Sequence, residues 1–506
     1  MPLGSFPPGE GPLLAAIERS GMLGITSKQL ATTTGRPLSE VESTLERLSG
    51  RASVLRVGKG LWIVPRFAGE PSGGEGFLGP EWYLERFLRE ADLPAAAAYT
   101  GEIQFNPNEE LPVHRWWPYV QGFSADFVRG ALRTYGIRRG ATVLDPFSGS
   151  GTVSVEARLV GAQAVAVELM PVAASVIRAK HAWSVPPAAL RRAGNDLVRR
   201  ARVTAPGAPP FLRETRRQFS PGALSTLLRL RAALAKVRQG EVKSLLELSF
   251  ASILVASSRL KRSPCLGYAR KPEVGPEGPY ELFRLAVERI ATDLTTLREM
   301  GKSVGPPAQV LEQNARTLPM KGEVVDLAIT SPPYVNGMDY VMNYKLEMAW
   351  LGQARSYEDL SRLKSDMVAC DNVSPVTIGA YRPGPLIEGD EWLQGILQDI
   401  RRNIASKSVY RRRDMADIVA KYFDDLVPVI GSVHRVLRPG GRFLVVNGDS
   451  LMAGTYVPGD LIFGRLAEKL GFEVERLETA RERRSGQRRD FRLRESILTL
   501  RKPLSS

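Results

Sequence analysis

Apolar positions recur at helical spacing three times over residues 11–66 and then begin to alternate. The segments "PLLAAIERSG", "TSKQLATTTG" and "PLSEVESTLERLSG" predict three short helices, and "SVLRVGKGLWIVP", with Gly58 and Gly60 at its turn, predicts a hairpin. That order is a winged-helix pattern, placed over residues 1–67. Such modules often bind DNA. The third helix, where recognition would sit, presents Glu40, Glu42 and Glu46 against Arg47 alone, so a protein-docking or purely structural role stands beside DNA contact. The Gly/Pro-containing stretch "AGEPSGGEGFLGP" breaks the pattern, and residues 68–100 are read as a linker.

From residue 101 the pattern changes to short buried strands. "ATVLD" (141–145) and "AVAVE" (164–168) flank a helix starting near Thr152, a strand–helix–strand unit of the parallel-sheet type. The strand rhythm then stops over 184–305. There "EVKSLLELSFASILVASSRL" (241–260) is apolar almost all round, as a helix inside a bundle is, and "YELFRLAVERIATDLTTLREMG" (280–301) is amphipathic. Strands resume at 308–313, 324–330 and 442–447 and close at 472–480 and 494–500, with an arginine-laden hairpin tip at 481–493. Residues 353–413 form a second insertion. The expectation is an α/β body over 101–506 with two inserted segments.

Composition adds partners and removes chemistries. A chain of 506 residues, 43% hydrophobic and 24% charged, folds and buries a sizeable core. Lysine plus arginine outnumber aspartate plus glutamate 69 to 54, a net +15 that makes a polyanion the first suspect as partner and an ordinary basic surface the alternative. The two cysteines and three histidines are widely separated, so neither a zinc spacing nor a disulfide framework is present and no metal is expected. No run of about 18 apolar residues occurs, so no membrane partner is expected, and a cytoplasmic location is the simplest reading.

Two motifs carry the chemistry. In "VLDPFSGSGTVSVEARLVGAQAVAVEL" a glycine turn directly follows a strand, and an acid, Glu168, ends the next one. Glycines let the backbone approach a ligand, and an acid at that distance accepts hydrogen bonds from ribose hydroxyls. No lysine with serine or threonine follows the glycines, and Ser154 stands where a dinucleotide fingerprint needs its last glycine. The turn therefore fits an adenosine cofactor without a pyrophosphate. Far downstream, "VDLAITSPPYVNGMDY" places Ser331, Pro332, Pro333 and Tyr334 after a core strand. An aromatic amine is a poor nucleophile because its lone pair is delocalised. Ser331 and the carbonyl of Pro332 can accept its N–H bonds, the prolines stiffen the turn, and Tyr334 offers a stacking face.

The pair D-P-F-x-G-x-G-T and T-S-P-P-Y resembles the S-adenosylmethionine-dependent amino-methyltransferases of DNA, and the S-P-P-Y form resembles their cytosine-N4 members. The likeness covers roughly 101–350 and 414–506 and includes "HRWWPYVQGFS", "DYVMNYKLE" and "VHRVLRPGGRFLVV". It implies a Rossmann-like class I methyltransferase sheet with S-adenosyl-L-methionine as cofactor. Asp145, Phe147, Gly149, Gly151 and Glu168 would bind that cofactor, with Phe123 and Ser124 near its methionine end. The family usually has an aspartate where this chain has Asn314, so contact to the adenine amino group would fall to an amide oxygen, a weaker acceptor.

The implied substrate is double-stranded DNA with the target base flipped out. Three basic clusters are candidates for phosphate contact: Arg259, Lys261, Arg262, Arg270 and Lys271; Arg411, Arg412 and Arg413; and Arg483, Arg484, Arg488 and Arg489. Adenine-N6 methylation, RNA guanine-N2 methylation and an inactive winged-helix regulator stay open as alternatives. So do a partner restriction nuclease, the recognition sequence and the oligomeric state.

Overall fold

A computed structural model describes residues 10–20, 25–50, 54–57, 61–63, 80–119, 122–263, 265–299, 304–370, 373–406, 412–484 and 492–504. The N-terminal module holds α1 (Glu10–Ser20), β1 (Ile25–Thr26), α2 (Ser27–Thr34), α3 (Leu38–Gly50), β2 (Leu55–Val57) and β3 (Leu61–Ile63). Its strands pair antiparallel in the order β1-β3-β2, which with three helices is the element set of a winged helix. Thr26 and Gln29 form a reciprocal capping box that starts α2, and Gly35 ends it in the left-handed conformation. Leu13, Ile17, Leu30, Val41 and Leu45 recur at helical spacing and close a separate small core. On α3, Glu42 and Glu46 are exposed and Glu40 pairs with Arg36.

The expected linker over 68–100 needs correction. Residues 68–79 lie outside the described residues, whereas α4 (Pro80–Glu90) and β4 (Ala97–Ala98) belong to the main body. Tyr83 and Phe87, one helical turn apart, are each 1% exposed and insert into the large core. Tyr83 meets Trp392 edge-on at 5.1 Å. Glycines and prolines before residue 80 draw the eye away from this aromatic spacing.

The body is an eight-stranded sheet in the order β4-β14-β15-β11-β10-β5-β6-β9. After α5 (Ala125–Thr134) come β5 (Thr142–Asp145), α6 (Thr152–Leu159), β6 (Gln163–Glu168) and α7 (Pro171–Lys180). The first insertion then supplies α8 (Pro187–Val203), α9 (Thr215–Gln218), α10 (Pro221–Ala235), α11 (Glu241–Ile253), β7 (Leu260–Arg262), β8 (Leu266–Tyr268) and α12 (Gly278–Glu299). The helix expected over 241–260 stops at Ile253, and the expected absence of strands over 184–305 is corrected by the short β7–β8 hairpin. There Arg262 is pulled inward by Glu347 at 2.7 Å and by the Asn343 carbonyl at 2.8 Å.

The chain returns to the sheet with β9 (Gln309–Glu312) and β10 (Val325–Thr330). After α13 (Tyr340–Leu351) the second insertion carries α14 (Tyr357–Asp366), α15 (Pro375–Ala380), α16 (Pro385–Glu388) and α17 (Glu391–Ser406). The fold then closes through α18 (Met415–Val436), β11 (Leu437–Gly448), β12 (Ser450–Met452), β13 (Thr455–Val457), α19 (Gly459–Lys469), β14 (Glu473–Arg484) and β15 (Arg492–Arg501).

Strands β11, β10, β5, β6 and β9 are parallel neighbours, and β15 runs antiparallel between β11 and β14. Helices cover both faces of the parallel strands, which is why Val143, Leu144, Leu327, Ala328 and Ile329 are all fully buried. From β5 the chain moves outward through β6 to β9 and then crosses back to β10. Strand order therefore reverses between β5 and β10, and a crevice opens at their carboxyl ends.

Candidate active site

The two motifs meet at that crevice. Asp145 ends β5, and its Oδ1 accepts hydrogen bonds from the Phe147 N–H at 3.0 Å and from the Thr330 hydroxyl at 2.8 Å. Thr330 is the residue before Ser331, so one carboxylate oxygen ties the glycine turn to the S-P-P-Y turn. Glu168 closes the turn from the other side, accepting from the N–H groups of Gly149 and Met170, both at 2.8 Å. Burial pushes both the Asp145 and the Glu168 carboxyl up to about 7.

The glycines are required by geometry. Gly149 has φ 51° and Gly151 φ 83°, and a Cβ on Gly149 would lie 2.8 Å from Tyr119 Cε1. Beneath the turn Lys180 is fully buried, its Nζ donating to the Ser150 carbonyl at 3.0 Å, and burial lowers its ammonium to about 7. This cation faces the loop's carbonyl rather than a ligand phosphate. Arg158 braces the same region, donating to the His181 carbonyl at 2.6 Å and lying 3.9 Å from the Trp183 ring centre.

Two clefts open here. The first, of about 880 Å³, is lined by Phe123, Asp145, Phe147, Gly149, Glu168, Asn314, Ser331 and Pro333 among the expected residues. The second, of about 720 Å³, is lined by Pro332 and Tyr334. Phe123, Ser331 and Tyr340 border both. Two expected cofactor residues stand back from the first cleft. Ser124 is buried as the N-cap of α5, accepting from the Phe127 N–H at 3.0 Å, and Gly151 is the N-cap of α6, packed against Ile177. Asn314 borders the cleft, but its amide oxygen accepts from the Arg316 N–H at 3.0 Å and its amide nitrogen donates to the Asp366 carbonyl at 2.7 Å. One of the two lone pairs of the acceptor expected there is already in use.

Other lining groups carry weaker sequence signals. Tyr119 stacks on Tyr340 at 6.4 Å and on Tyr344 at 5.7 Å, and Tyr119 and Tyr340 wall the first cleft. All three lie inside "HRWWPYVQGFS" and "DYVMNYKLE", whose aromatic content was the available signal. Gln104, Asn336, Arg481, Arg483 and Glu495 complete the second cleft. Tyr334 donates its hydroxyl to Glu495 Oε1, Arg481 pairs with the other Glu495 oxygen, and the Arg483 guanidinium lies 5.8 Å from the Tyr334 ring centre. Burial, and next the Glu495 carboxylate, hold the Tyr334 hydroxyl well above the usual phenol range.

The basic clusters divide. Arg259 pairs with Glu273, Arg262 points inward, Lys271 caps the Val255 carbonyl, and Arg412 pairs with Asp414. These groups hold the fold. Lys261, Arg270 and Arg413 are exposed, and Arg411, Arg488 and Arg489 lie outside the described residues.

A doubly covered parallel sheet and a glycine turn between two buried carboxylates, with no lysine or arginine among the described residues lining the first cleft, are the features of a Rossmann-like class I methyltransferase fold, with S-adenosyl-L-methionine as cofactor. Residues 122–205 match the family model described as RMKL-like, methyltransferase domain. Over 427 residues the chain is 24% identical to the type II methyltransferase M.AvaI of Nostoc sp. (strain PCC 7120), covering 74% of this chain and 82% of that protein. Over 459 residues it is 23% identical to the type II methyltransferase M.BsoBI of Geobacillus stearothermophilus, covering 79% and 88%. The solved structure of an O-methyltransferase family protein from Burkholderia thailandensis aligns over 98% of this chain and 95% of its own, at 10% identity and a TM-score of 0.20.

Proposed function

We propose that this protein transfers a methyl group from S-adenosyl-L-methionine to the N4 amino group of cytosine in double-stranded DNA. The observation that carries the proposal is the position of Ser331, on the boundary between a cleft with a nucleoside-binding turn and a second cleft with an aromatic and charged lining. Two reactants held on either side of one side chain are positioned rather than left to encounter each other.

The lining of the first cleft fits the cofactor: two buried carboxylates suit ribose hydroxyls and a cationic group, and the stacked tyrosines suit an apolar chain. When bound, the cofactor supplies an electrophilic methyl on a sulfonium. The chain's own residues do the rest. Ser331 Oγ and the Pro332 carbonyl accept the N–H bonds of the target amine and hold its lone pair toward the first cleft. Tyr334, locked by Glu495, gives the base a face, and Arg481 and Arg483 offer donors. Along its Watson–Crick edge cytosine presents two acceptors, N3 and O2, on one side of its amine, whereas adenine presents N1 on that side and N7 on the opposite one, so donors gathered on one wall favour cytosine.

A base inside a duplex cannot enter such a cleft, so the target is flipped out. The net charge of +15 supports a polyanionic substrate, and DNA as substrate supports a cytoplasmic location. None of the described helices is long and apolar enough to cross a membrane. The relatives are named type II methyltransferases, which supports a role paired with a restriction nuclease. Transfer of tritium from labelled cofactor tests the proposal: label should enter double-stranded DNA and not RNA, and label in RNA alone would overturn it.

A further inference from the structure

The strand order fixes which end of the first cleft takes which end of the cofactor. Ser331, Asp145, Glu168 and Asn314 follow the adjacent strands β10, β5, β6 and β9, so they stand in a row along the sheet's carboxyl edge, each step about 4.8 Å. The methyl must lie at the Ser331 end, where the second cleft opens. The adenine must then lie at the β9 end, lined by Gln313, Asn314, Ala315, Asp366, Met367 and Val368.

The adenine 6-amino group is a hydrogen-bond donor and needs an acceptor there. Asn314 has turned its amide to its own loop and to the Asp366 carbonyl. Glu312 is held by Arg178 at 2.8 Å and is not part of the lining. Asp366, at the end of α14, is the carboxylate of that end of the cleft, and among the described residues it forms no ion pair.

Its segment is built into the site. Arg316 donates to the Asp366 carbonyl at 2.9 Å and to the Met367 carbonyl at 3.1 Å while pairing with Asp425 at 2.9 Å. Asp425 in turn accepts from the Ala369 N–H at 3.0 Å. At the other side of α14, Lys364 pairs with Asp339, the N-cap of α13, at 2.7 Å. All of these clamps act through the backbone of 366–369 or through other side chains, so none of them engages the carboxylate of Asp366, an exposed residue that lines the cleft.

We propose that Asp366, contributed by the second insertion, is the residue that accepts the adenine 6-amino group and selects adenosine over other nucleosides. The inserted segment thereby completes the cofactor site. A charged acceptor also strengthens that hydrogen bond relative to the Asn314 amide. This inference rests on the cofactor lying in the first cleft.

Calorimetry with two ligands tests it: S-adenosylhomocysteine, and its counterpart in which the purine 6-amino group is replaced by hydrogen. The unaltered protein should bind the amino ligand about tenfold more tightly. Asp366→Ala should lose about that factor for the amino ligand alone, so that the two affinities converge, and Asp366→Asn should keep part of the preference. An unchanged thermal midpoint shows that the clamps through the backbone survive. Equal loss for both ligands, or an unchanged preference in Asp366→Ala, would overturn the assignment while leaving the methyl-transfer proposal in place. Failure of the unaltered protein to bind either ligand would overturn both.

Discussion

At the scale of single residues the account separates holding the cofactor from activating the amine. Gly149→Val puts a branched side chain where even a Cβ would lie 2.8 Å from Tyr119 Cε1, so cofactor binding should be lost in a folded variant, as calorimetry would show. Ser331→Ala leaves the glycine turn untouched; single-turnover transfer should slow by about tenfold to a hundredfold with cofactor affinity near normal. The paired carboxyls add a pH signature. Asp145 and Glu168, raised to about 7 by burial, are largely neutral at acid pH and ionise as pH rises through 7. Ionisation attracts the sulfonium, so affinity for S-adenosyl-L-methionine should rise between about pH 6 and pH 8. Stability has the opposite sign: folded pKa values above the unfolded ones give a contribution that is full below about pH 4 and is lost as pH rises toward 7. Calorimetry of the cofactor across that range, with Glu168→Gln as the flatter comparison, checks the first effect.

At the scale of elements, local signals were legible and assembled ones were not. The strands at 142–145, 163–168 and 325–330 and the turns after them stood out because apolar runs, glycines and prolines act within a few residues. The second cleft did not, because Tyr334, Arg481 and Glu495 become neighbours only through the pairing of β14 with β15 and of β15 with β11. Asn314 stands out in the sequence, but its partner Asp366 lies within the second insertion. The linker expectation failed where two aromatic residues one turn apart outweighed the glycines before them. Phe87→Ala should therefore destabilise the main body by about 3–5 kcal/mol, measured by denaturant unfolding; a change under about 1 kcal/mol would mean α4 is only loosely attached. Arg488 and Arg489 lie between β14 and β15 in the sequence, and replacing both by glutamine should weaken DNA binding and reduce the slope of affinity against salt by up to about two counterions. An unaltered slope would remove both residues from phosphate contact.

At the scale of the whole molecule, one edge of the sheet organises everything else. The five parallel strands set the row from Ser331 to Asn314, the first insertion packs α11 on α7 and α13, and the second brings Asp366, at the end of α14, to its far end. The N-terminal module has its own core and an acidic α3, so its part in the proposed activity lies outside the chemistry: a chain lacking residues 1–67 should keep its cofactor affinity. The central claim is that the amine reaching Ser331 belongs to cytosine. It is tested most directly by digesting DNA from cells that express the protein and identifying the modified nucleoside by mass. N4-methylcytosine is expected, at a reduced level when Ser331→Ala is expressed to the same amount; N6-methyladenine in its place would contradict the assignment.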